Sequence, residues 1–75
     1  MSQTRQARGH LTHVQEQRFR VATTDGPSLL LTLAHDAPVD ASDLQQWLRE
    51  RATVVVEYEG EPGLDSGMAR AVRRA

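Results

Sequence analysis

The chain has no cysteine, only one each of Phe, Trp and Tyr, and no lysine: all nine of its basic residues are arginine. Without cysteine there is no disulfide, no thiolate metal site and no sulfur nucleophile, so apolar burial or oligomerisation must hold the fold. A reducing cytoplasm is compatible with that. A chain of 75 residues buries about 60 to 65% of the surface that its unfolded form exposes, enough for one small core. No apolar run approaches the roughly 20 residues that span a bilayer. The first nine residues are polar with no apolar run behind them, unlike a secretion signal. The sequence therefore reads as a soluble, unexported, cytoplasmic protein with no membrane partner.

Catalytic and metal chemistry find little support. Glu57 and Glu59 would share a strand face about 7 Å apart. Acid–base work would also need a concave apolar pocket, which so short a chain seldom supplies, so no enzyme and no catalytic residue is expected. His10 and His13, three apart in an extended segment, are expected to point to opposite faces. His35 beside Asp36 reads as a solvated strand end. No third ligand has a matching spacing, so neither metal nor cofactor is expected. Gly60, Gly63 and Gly67 lack a following Gly-Lys-Ser and have acidic neighbours that would repel phosphate.

What is present is a regular succession of elements. Residues 1–8 are polar and aperiodic, which reads as a flexible N-terminal arm, and the domain is expected over 9–75. Leu11 and Val14, three apart, suggest a first strand with a bend or bulge. Phe19 and Val21 alternate with Arg18 and Arg20, giving a second strand with one apolar face and one bearing two guanidiniums. Asp25-Gly26, followed by Pro27, signals a hairpin turn. In the third strand Leu29, Leu31 and Leu33 point one way, and Leu30, Thr32 and Ala34 the other.

A short helix follows, marked by Asp40 as N-cap, Asp43 as its capping-box partner, Val39 and Leu44 as a hydrophobic staple, and the stripe Leu44, Trp47, Leu48. Ser42 is a competing cap, and the end falls near Arg51. Val54, Val56 and Tyr58 alternate with Val55, Glu57 and Glu59 in a fourth strand, broken by Gly60-Glu61-Pro62-Gly63. Residues 68–74 alternate as a fifth strand whose inner face the pattern leaves open. The order β-β-β-α-β-β is that of an all-β fold with one short helix, a small five-stranded OB-like barrel. Such barrels commonly bind oligonucleotides or oligosaccharides on one outer face.

Charge is unevenly spread behind a formal net charge of -1. Residues 1–35 carry a balance of +2, residues 36–65 a balance of -6, and the last ten residues +3. Were the first two strands to lie beside the last, the arginines would gather on one flank. Single-strand binding pairs a positive groove with stacking platforms, for which arginine planes also serve. Arg18 and Arg20, beside Leu30 and Thr32, form the best candidate patch, with Arg70, Arg73 and Arg74 adding positive field and Arg5 and Arg8 forming an arm that folds down on binding. Phe19 and Trp47 sit on apolar faces and read as core. Tyr58 is either core rim or a surface platform. The plain alternative for the arginines is a solvated face pairing with Glu16 or Glu57 at little gain.

At this point the residues resemble a family. Gly9 opening an alternating strand, Arg18-Phe19-Arg20-Val21 closing the next, Asp25-Gly26 at the hairpin, Val54-Val55-Val56-Glu57, and the basic run from Gly67 to Arg74 are similar to bacterial translation initiation factor 1 and related small S1-type OB domains. The similarity covers about residues 9–74 in short motifs. It implies a non-catalytic barrel that binds RNA through basic and aromatic surface side chains, here Arg18, Arg20, Arg70 and Arg73. The chain departs from that family in its acidic helix, fourth strand and 60–67 loop. A second reading, from another class, is a protein-interaction or self-assembling barrel, joined through outward Leu30 or Val55 to a partner protein or another copy. The candidate ligands are thus RNA or single-stranded DNA on the first reading and a protein on the second.

Overall fold

The computed structural model describes residues 4–63 and 67–75. Strands β1 (Arg5–Gln15), β2 (Arg18–Thr23) and β3 (Leu29–Leu33) are followed by helix α1 (Ala41–Glu50), then β4 (Thr53–Glu59) and β5 (Met68–Arg74). The strands close into one barrel in the order β1-β2-β3-β5-β4, with β4 returning to β1. All pairings are antiparallel except the short parallel seam of β3 with β5. This is the OB-like architecture expected from the element order, with its helix between the third and fourth strands.

Alternation explains most of the interior. Phe19 and Val21 from β2, Leu31 and Leu33 from β3, and Val54, Val56 and Tyr58 from β4 all point inward and are buried. Their intervening neighbours face out, as strand geometry requires. Leu44 of α1 is fully buried in the same cluster, while Trp47 and Leu48 pack against it partly exposed. The helix begins where the side chains dictate. Asp40 accepts from the Asp43 N–H while Asp43 Oδ2 accepts from the Asp40 N–H at 3.1 Å, so two otherwise orphaned donors are satisfied. Ser42, the rival cap, instead donates its hydroxyl to Asp40 Oδ1 at 2.6 Å. At the other end Arg51 takes the left-handed conformation at φ 54° and caps the last turn.

The two strands with broken alternation both contain register shifts. In β1 the pairing with β2 slips between Leu11 and His13. Leu11 therefore lies inside and Val14 packs against the core, although they are three apart. The same slip leaves His10 and His13 both exposed. They lie on one outer face, not on opposite faces, because the extra residue at Thr12 reverses the alternation. In β5 the shift lies opposite Glu57 and Tyr58, with Ala69 and Ala71 as successive partners and Arg70 bulged between them. Ala69 and Val72 are consequently both buried. Neither alternating set of β5 is inside over its whole length.

Three further expectations are corrected. Residues Arg5–Arg8 are not an arm: they belong to β1 and pair with Val55–Tyr58 of β4, so backbone pairing orders them where apolar content does not. Of the proposed arm, residues 1–3 lie outside the described residues. Ala34 is buried, not outward: it follows the end of β3 and donates its N–H to the Ala69 carbonyl at 2.9 Å. Finally, β5 sits between β3 and β4 and pairs with neither β1 nor β2. The arginines of the last strand therefore do not gather beside those of β2.

Candidate nucleic-acid interface

Cross-strand register builds the site. On the outer face of β1-β2-β3, Gln15, Arg18 and Thr32 form one row and His13, Arg20 and Leu30 the next. The side chains enclose a shallow groove of 380 Å³ lined by His13, Gln15, Arg18, Phe19, Arg20 and Leu30. Directly paired residues on one face stand close enough for their side chains to act together. Both arginines are exposed. Among the described residues neither forms an ion pair, and neither engages Glu16 or Glu57. Two guanidiniums of β2 stand beside a half-buried leucine of β3, with an imidazole next to them, in a concavity open to solvent.

Phe19 underlies the groove but is 1% exposed, so its ring supports the floor and offers no face for stacking. Any flat ligand here must stack on guanidinium planes or the His13 imidazole, or lie against Leu30. His13 Nδ1 lies 3.1 Å from the Thr12 hydroxyl, which helps hold the imidazole at the bulge.

The other expected site residues are placed elsewhere and are engaged. Arg70 pairs with Asp36 at 3.1 Å and approaches Glu59 at 3.9 Å. Arg73 lies 3.7 Å from Glu57, and Arg74 lies 3.5 Å from Glu50. These pairs join the basic last strand to the acidic middle of the chain, which offsets the field that the arginines of β5 would project. Tyr58 is not a surface platform: at 8% exposure its ring closes one end of the core. The Arg5 guanidinium sits over that ring, 5.0 Å from its centre, and donates to the Gly60 carbonyl. Arg5 is thus a lid over the tyrosine, in a cation–π contact.

The contribution of His13 and Gln15 to the groove was not readable as such, because it depends on the register of β1 against β2. The spacing of Leu11 and Val14 carried the signal, since a bulge there turns His13 outward. Among the described residues no group of three or more histidine or acidic side chains is arranged to hold a metal ion, and no helix is long and apolar enough to cross a membrane. Comparison of the chain with protein-family models, with curated proteins and with solved structures finds no significant match.

Proposed function

We propose that this protein is a non-catalytic module that binds single-stranded nucleic acid, RNA foremost, in the groove on the outer face of β1-β2-β3. The observation that carries the reading is that Arg18 and Arg20 share a solvent-open groove and lack carboxylate partners among the described residues, while Arg70, Arg73 and Arg74 each have one. Exposed, unneutralised guanidiniums are strong hydrogen-bond donors to phosphate and can stack on bases. The groove also lies on the face that OB barrels commonly use for oligonucleotides. Arg18 and Arg20 are, moreover, where the resemblance to translation initiation factor 1 would put RNA contacts.

The same geometry sets the strength. With two arginines and no exposed Phe, Tyr or Trp ring in the groove, binding is dominated by phosphate contacts, giving weak affinity on the order of 10⁻⁴ to 10⁻⁶ M and little sequence preference. Neutralising two phosphates of a single strand gives a slope of about -1.4 in log affinity against log salt. The test is a fluorescence-anisotropy titration of labelled single-stranded RNA and DNA at two salt concentrations, using wild type and Arg18→Ala/Arg20→Ala. Wild type should bind at low salt with that slope, and the double variant should lose at least about tenfold. Equal binding by the two proteins would overturn the assignment. No binding at low salt, together with self-association that persists in salt, would replace it with the protein-interaction reading.

A further inference from the structure

We infer that the nucleic-acid path continues beyond the groove along β1, to a second phosphate subsite formed by Arg8 and Arg73 on the outer face of β1-β4-β5. This inference rests on the binding reading above and extends it to a defined length of strand. A concavity of 720 Å³ opens there between the first half of β1, the β2–β3 hairpin and the neighbouring β4 and β5. Arg8 pairs with Val55, and Val55 with Arg73, so two guanidiniums flank one half-buried valine. Around Leu30 both arginines instead stand on β2, Arg20 opposite Leu30 and Arg18 opposite Thr32; what the two places share is a pair of guanidiniums beside an outward apolar side chain.

The bulge at Thr12 links the two concavities. By turning His13 onto the same outer face as His10, it lines up Arg20, His13, His10 and Arg8 along one surface. From His13 to Arg8 is five residues of strand, about 16 Å at the usual rise. That added reach keeps the path within the range of about 4 to 16 nucleotides that an OB barrel covers.

Charge within the second concavity is partly opposed. Arg8 has no ion-pair partner among the described residues, but Glu57 accepts from Gln6 Nε2 at 3.0 Å and lies 3.7 Å from Arg73. Asp25 lies at the hairpin rim. The pair of exposed Arg73 with half-buried Glu57 is open to solvent, and such surface pairs are weak enough to exchange for a phosphate. Glu57 is therefore the group that restrains this subsite, and its neutralisation should free Arg73.

Anisotropy titrations with oligouridylates of about 4 and about 12 nucleotides test the inference on wild type, Arg8→Gln, Glu57→Gln and Arg18→Ala/Arg20→Ala. Melting curves should show the variants folded, since all these side chains are at the surface. The 4-mer should bind wild type, Arg8→Gln and Glu57→Gln alike. The 12-mer should bind Arg8→Gln about three- to tenfold more weakly, with a salt slope smaller by about 0.7. It should bind Glu57→Gln more tightly than wild type. If neither single variant changes 12-mer binding while Arg18→Ala/Arg20→Ala abolishes it, the second subsite is refuted and the groove stands. An equal loss of 4-mer and 12-mer affinity in Arg8→Gln also refutes the subsite, showing a general field effect. If wild type binds neither oligomer, the groove reading itself falls.

Discussion

Two positions show how single residues set this structure. Gly9 stands where β1 passes over β2, and a methyl group there would meet the Ala22 carbonyl oxygen at 2.0 Å, with the backbone of Thr23 close behind. Because backbone cannot swing aside like a side chain, Gly9→Ala should cost about 1 to 3 kcal/mol or more. That would read as a fall of several degrees or more in melting temperature. Asp40 offers a different test. The Ser42 hydroxyl, and after it the Asp43 N–H, hold its carboxyl below the usual value of 3.8. A carboxyl with a depressed folded-state pKa stabilises the fold above its unfolded value and loses that contribution as pH falls through the folded one. Acid titration of stability should therefore show a component below pH 3.8 that is absent in Asp40→Asn. A component of the same size in the variant would assign the acid transition to other carboxylates. The cap was legible because its partners lie within three residues. The partners of Arg70 were not, since Asp36 lies 34 positions away in the chain and reaches it only through barrel closure.

At the scale of elements, α1 contributes one fully buried residue, Leu44, and a side-chain tether from Gln45 Nε2 to the Val14 carbonyl at 3.2 Å. Leu44→Ala should cost about 2 to 5 kcal/mol, a large share of the stability of a domain this small. Urea unfolding measures it, and a loss below 1 kcal/mol would mean that the helix is not part of the barrel core. β2, β4 and α1 were legible from their own residues, because an alternating or a capped amphipathic pattern is local information. The first half of β1 was not: Arg5–Arg8 has one inward apolar residue, Ala7, and is a strand only because β4 pairs with it. β5 was recognisable as a strand, but its inner face was not, since the bulge at Arg70 moves the core set from Ala69 to Val72. A bulge is fixed by the partner strand, and the partner is not adjacent in sequence.

For the whole molecule, barrel order matters more than net charge. A chain with a formal charge of -1 has no overall attraction for a polyanion, so any binding must come from local separation of charge. Placing β5 next to β4 brings the arginines of the last strand onto the acids of the middle segment. Arg8, Arg18 and Arg20 of β1 and β2, like Arg49 and Arg51 at the end of α1, have no ion-pair partner among the described residues. The candidate groove was legible to the extent that Arg18 and Arg20 alternate with core residues. The loss of Arg70, Arg73 and Arg74 from the site was not, because it is a consequence of topology. The most direct check on the account is an amide chemical-shift map of the ¹⁵N-labelled protein titrated with unlabelled single-stranded RNA at low salt. The account requires the largest shifts at His13, Gln15, Arg18, Arg20, Leu30 and Thr32. Shifts centred on α1, or no shifts at all, would contradict it.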